Sequence, residues 1–163
     1  LWLTLFPYTT LFRSDPDQED AQIDVKERNV LNVRLNGAGD LMINSDIADI
    51  KELRPRAKEF IKNEADLSSL PEKHVKEIDL LGPCYITDKH VISVQTDRST
   101  PYNIYFEVQN ELVAAYNELR EELSRAKFGR SYEFLTDEQK VAIRTYYPQK
   151  ISEAEPRNYG GNK

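Results

Sequence analysis

Residues 91–129, VISVQTDRSTPYNIYFEVQNELVAAYNELREELSRAKFG, constrain the fold more than any other stretch of this chain. They open with a β-rich run, Val91 to Thr96, that ends at Asp97. Thr100 offers a hydroxyl N-cap, and Pro101 stands where a first-turn proline forfeits no helix hydrogen bond. From there Tyr105, Val108, Leu112, Ala115, Leu119 and Leu123 recur at three- and four-residue steps, one apolar stripe along a helix. Gly129 supplies a stop. The stretch therefore predicts strand, polar corner and long helix in succession.

Length sets a second constraint. Pro101 to Lys127 is 27 residues, roughly 40 Å of helix at ~1.5 Å per residue. A domain of about 100 residues has a radius of gyration near ~13 Å, so the helix projects past its sheet. Leu119, Leu123 and Phe128 then need cover, from the C-terminal segment or from a second copy of the chain. Thr136 to Gln139 has capping-box spacing and begins a short helix through Val141, Ile143 and Tyr146, stopped before Pro148. That helix is expected to fold back on the overhang. Tyr132, Phe134, Tyr146 and Tyr147 are expected to pack there rather than to cage a ligand.

Upstream, Leu31, Val33 and Leu35 alternate with Asn32 and Arg34, and Leu41 and Ile43 flank Met42. Asn36 to Asp40 between them reads as a hairpin turn. Its glycines could cradle phosphate, but no Lys-Ser/Thr pair follows and no helix opens there. Asp49 and Glu52 have capping-box spacing for a helix carrying Ile50, Leu53, Ala57, Phe60 and Ile61 and ending near Asn63. Pro55 would sit inside it, at a cost of about 3 kcal/mol, so the helix is expected to start late, near Arg54, or to have a loose or kinked first part. Residues 65–73 read as loop. Val75, Ile78 and Leu80 suggest a short edge strand closed by Gly82-Pro83, and Cys84 to Thr87 a hairpin through Asp88-Lys89 into the strand at His90.

The whole chain of 163 residues fits one domain plus tails. A net charge of −6 argues against a nucleic-acid partner, which needs a basic face. No run reaches the roughly 20 apolar residues of a spanning helix. One cysteine, Cys84, leaves no internal disulfide framework. His74, His90 and Cys84 lack metal-ligand spacing and a fourth partner. No nucleophile–base set stands out, so neither catalysis nor a cofactor is expected. Asp97 is the one acid whose position draws notice: either it accepts hydrogen bonds in the turn or caps the helix, or it meets partner chains beside Tyr102.

The unit of Val94, Asp97, Thr100, Pro101 and Tyr102 followed by the long helix resembles the periplasmic domain of the ExbD/TolR family. QNELVAAYNELREEL and YPQKISEAEP look like the ExbD branch of Bacteroidota-type bacteria. The resemblance covers roughly residues 26–156. It implies an α+β domain: a small sheet with a hairpin, a short helix, a long C-terminal helix packed on one face, and a short extra helix. It also implies an accessory subunit of an inner-membrane motor with ExbB-like and TonB-like partners, coupling the proton gradient to outer-membrane uptake. Asp97, Thr100 and Tyr102 are the expected partner-binding residues. Val108, Leu112, Leu119 and Leu123 are expected on a packing or homodimer face. A TolR-like role with peptidoglycan contact, and a free-standing periplasmic binding module, are the alternatives.

Thr4 to Ser14, TLFPYTTLFRS, looks like the translation of a widely used sequencing-library adapter. Residues 1–14 are therefore expected to contribute nothing to the fold, and 15–27 to form an acidic linker. The domain should then span 28–129, with a helical extension over 130–155 and a disordered tail over 156–163. Family members carry one membrane-spanning helix with an Asp that takes part in proton translocation. An apolar segment of that kind is expected upstream of Asp15 in the native gene.

Overall fold

Hydrophobic alternation in three short segments builds the centre of the molecule. A computed structural model describes residues 26–154, so the expectations for 1–25 and 155–163 lie outside the described residues. Strands β1 (Val30–Leu35), β2 (Leu41–Ile43) and β6 (Val91–Thr96) turn Leu31, Val33, Leu35, Leu41, Ile43, Ile92 and Val94 to one face, where all are buried. The opposite face carries Asn32, Arg34, Ser93 and Gln95, which are half-buried or exposed. Period-two patterning thus divides a core side from a wet side.

Two further strands complete the sheet, in the order β3-β2-β1-β6-β7. β3 (Asp46–Ala48) pairs antiparallel with β2, and β7 (Ile151–Ala154) pairs parallel with β6. β1 and β6 are also parallel, Val30 opposite Val91 through Leu35 opposite Thr96. Helices α1 (Ile50–Lys62) and α2 (Tyr102–Phe128) pack on the buried face. The fold is α+β.

The long helix behaves as its pattern predicts. Val108, Leu112, Ala115 and Leu119 are at most 1% exposed, and Tyr116 beside them is fully buried. Burying each such Leu or Val contributes about 1.5–3 kcal/mol relative to exposure. Gly129 closes the helix in the left-handed conformation, its N–H donating to the carbonyl of Arg125. The overhang is covered from within the chain. Ser124 donates to the carbonyl of Arg130 at 2.7 Å, and Glu121 accepts from the Tyr132 N–H at 2.8 Å. Arg120 donates twice to the carbonyl of Tyr147, 3.1 and 2.9 Å away. Helix α3 (Asp137–Tyr146) starts with the full Thr136–Gln139 capping box.

Several local expectations fail. Helix α1 begins at Ile50, not near Arg54: Asp49 caps it by accepting from the Lys51 N–H at 2.9 Å, and Pro55 sits inside it. Glu52 does not complete a capping box but pairs with Arg56 at 3.1 Å. Strand β5 (Gly82–Ile86) does not pair with the strand that follows it. It pairs back with β4 (His74–Ile78) through a turn in which Leu80 takes a φ of 69°. Gly82-Pro83 therefore opens a strand instead of closing one. This two-stranded sheet packs Ile78, Cys84 and Ile86 against Ala142 of α3. The segment after Gly129 holds a strand as well as a helix, because Ile151–Ala154 joins the main sheet. Phe134 stays largely outside the packing, being 72% exposed.

Candidate functional site

The corner between β6 and α2 is built from backbone groups and one hydroxyl. Parallel pairing places Thr96 beside Leu35, so the corner lies against the turn that follows β1. The Asp97 N–H points to the Leu35 carbonyl at 3.3 Å and to Thr100 Oγ1 at 3.0 Å. The Thr100 N–H returns to the Asp97 carbonyl at 3.0 Å. The Thr100 hydroxyl, with the carbonyls of Leu35 and Asn36 at 3.3 and 3.2 Å, donates into the end of β1. Thr100 is therefore not the N-cap of the helix. Pro101 occupies the cap position and makes no side-chain cap bond. A threonine hydroxyl can accept and donate at once, and here it ties two adjacent strand ends together.

The two glycines of the hairpin turn serve this corner. A Cβ on Gly37 would lie 2.2 Å from Ser99 Oγ, and one on Gly39 would lie 2.3 Å from Ile104 Cδ1. Gly39 also has a φ of +90°, which side chains rarely adopt. Asn36 locks the turn, its Nδ2 donating to Asp40 Oδ2 and its Oδ1 accepting the Asp40 N–H, both at 2.8 Å.

Asp97 and Tyr102 are left presenting side chains. Asp97 is half-buried, and its carboxylate accepts no hydrogen bond among the described residues; the part of turn acceptor falls to Thr100, and no side chain caps the helix. Tyr102 is 75% exposed and lies stacked on Phe106, itself 52% exposed, with centroids 6.2 Å apart and planes at 23°. Tyr105 flanks Tyr102 at 6.2 Å and anchors its own hydroxyl on Glu153 of β7, whose carboxylate raises the phenol's pKa. Phe106 was not singled out in the sequence. The signal was available, since it is an aromatic one position off the buried stripe and four residues beyond Tyr102.

The other expected residues are elsewhere. Val108, Leu112 and Leu119 lie inside this chain's own core, and Leu123 packs half-buried against it. An ion-pair ladder joins the two helices: Arg54 reaches Glu111 at 2.7 Å and Glu118 at 2.9 Å, and Lys58 reaches Glu118 at 3.1 Å and Glu122 at 2.7 Å. His90 is buried against Tyr116, Cys84 is buried under α3, and His74 lies beside Asp88 at 3.2 Å. Among the described residues no group of three or more His, Cys, Asp or Glu side chains is placed to hold a metal ion. Among them, too, no helix is long and apolar enough to cross a membrane.

Chemically, the corner offers a carboxylate, a rigid backbone and an exposed aromatic pair, which suits protein contact rather than bond-making. No protein-family model matches the chain, and no curated protein is significantly similar to it.

Proposed function

We propose that this chain is an ExbD-like accessory subunit, with no catalysis of its own, of an inner-membrane motor that energises outer-membrane transport. Its α+β domain works in the periplasm as a binding and regulatory element between an ExbB-like channel and a TonB-like protein. The observation that carries the reading is the corner: a strand ending at Thr96 just before Asp97, a tied Thr100, and Tyr102 held outward on the first turn of a long helix. Those residue types in that order are what the ExbD/TolR resemblance rests on. The exposed Tyr102–Phe106 pair adds an anchor of the kind that dominates protein interfaces.

The genomic locus provides the test, together with one binding measurement. An ExbB-like and a TonB-like gene are expected beside this one. The periplasmic part of that TonB-like protein should bind the purified chain, and Asp97→Asn and Tyr102→Ala should each weaken binding at least about fivefold, roughly 1 kcal/mol. A Tol-type gene set would move the assignment to a TolR-like envelope role. Neither gene set, together with no binding, would overturn the motor reading and leave a free-standing binding module.

A further inference from the structure

Away from the corner, cations from three elements line one depression of about 350 Å3. They are Lys76 of β4, Arg144 of α3 and Lys150 just before β7. Among the described residues the depression holds a single carboxylate, Asp88, and that group is already engaged. Lys76 Nζ lies 3.2 Å from its Oδ2. His74 Nε2 lies 3.2 Å from its Oδ1, close but not aligned as a hydrogen bond. Arg144 joins neither pair, and Lys150 Nζ donates to the backbone carbonyl of Asp88, which carries no charge. In a chain of net charge −6, three cations thus face one carboxylate.

The excess is felt by buried neighbours. Half-buried Arg120 is held below the usual guanidinium range by burial, with a small further contribution from the charge of Arg144. Buried His90 is lowered chiefly by burial; Lys150 adds to the effect, and the Asp88 carboxylate works against it. Local positive charge in excess of the neighbouring carboxylate favours an anion.

We infer that this depression is a binding site for a phosphate group, taken up as the free ion or as the headgroup of a lipid. A planar carboxylate is matched by a single guanidinium fork. Two ammonium groups and a guanidinium arriving from three different elements suit a tetrahedral, multiply charged anion better. The volume lies at the lower end for small-molecule sites, which fits one headgroup. Lys150 also links the site to the sheet, since its carbonyl accepts from the Ile92 N–H at 2.9 Å and its N–H donates to Tyr116 at 3.2 Å. Occupancy therefore fastens the start of β7 to α3 and to the β4–β5 hairpin.

The experiment titrates the full chain with inorganic phosphate at constant ionic strength, using chloride as the balancing salt, and reads amide shifts and the thermal midpoint. Saturable shifts around Lys76, Arg144 and Lys150 are expected, with a dissociation constant on the order of millimolar and a midpoint that rises by mass action. Arg144→Gln and Lys150→Gln should each weaken binding roughly two- to fivefold. Asp88→Asn should tighten it, an opposite sign that general disruption of the fold would not produce. A second arm measures co-sedimentation with phosphatidylglycerol vesicles against phosphatidylcholine vesicles. Binding in that arm, lost in Arg144→Gln, identifies a lipid source; phosphate binding without it identifies the free ion. Equal responses to phosphate and chloride, or phosphate binding that both cation variants leave unchanged, would overturn the site.

Discussion

The Nε2 atom of His90 lies 2.8 Å from the phenolic oxygen of Tyr116, and neither side chain is exposed. His90 Nδ1 faces the Thr87 carbonyl, which can only accept, so that nitrogen carries the proton. Nε2 of the neutral ring then accepts from Tyr116, whose oxygen accepts the Lys150 N–H in turn. One relay of hydrogen bonds connects the turn before β6, the long helix and the start of β7. Burial raises the Tyr116 phenol to about 12, so it remains a donor throughout the neutral range.

Acid should undo this relay. Burial holds the His90 pKa below its ordinary 6.5, so on acidification the unfolded chain takes up that proton before the folded one does. Stability is thus full above about pH 6.5 and falls from there towards the lower folded pKa. Denaturant unfolding at a series of pH values should show that loss well before the carboxylates titrate. Glu118 and Glu121, lowered by their cationic and hydrogen-bonding partners, add a separate loss below their ordinary 4.5. Tyr116→Phe, which leaves His90 Nε2 and the Lys150 N–H without a partner, should cost about 1–3 kcal/mol at pH 8.

Thr100 and Asp97 should separate cleanly. Thr100→Val removes the acceptor for the Asp97 N–H and the donor to the end of β1, at about 1–2 kcal/mol in chemical denaturation, with Thr100→Ser restoring most of it. Asp97→Asn should shift stability by no more than about 0.5 kcal/mol, since its carboxylate holds no partner among the described residues. A large loss for Asp97→Asn would show that the acid is structural.

The turn glycines should differ from each other. Gly39→Ala meets both Ile104 and an unfavourable φ and should cost about 1–3 kcal/mol. Gly37→Ala meets only the movable hydroxymethyl of Ser99, so combining it with Ser99→Ala should recover most of its smaller loss. Thermal melts of the three variants decide the point.

Leu112→Ala should destabilise the isolated chain by about 2–5 kcal/mol, independent of protein concentration, because the residue is buried within one copy. If the loss depended on concentration instead, the helix face would belong to a dimer.

The legible parts of the fold were those with a long period or a local chemical signature. The α2 stripe runs for several turns before Gly129, and Thr136–Gln139 forms its box from adjacent residues. β3 and β7 were missed because three or four residues hold too little pattern: Ile47 points outward at 82% exposure, and Ile151 is the lone large apolar residue of its strand. The β4–β5 pairing was misread because Asp88-Lys89 looks like a turn, whereas Leu80 in the left-handed region gives no signal. At the corner, sequence placed Asp97, Thr100 and Tyr102 together but gave Thr100 the part of helix cap, where it acts as turn acceptor and strand tie. A cap and a strand tie use the same hydroxyl, and only the position of Leu35 tells them apart.

Parallel pairing of β1, β6 and β7 has a mechanical consequence. The described chain enters the sheet through Val30 at one end and leaves it through Ala154 at the other. Tension applied between those points pulls β1 and β7 in opposite directions along their own axes. The hydrogen bonds flanking β6 are then loaded side by side, in shear, and must yield together; they cannot be peeled one at a time. A domain strung this way transmits a stretch without lengthening until the load is large.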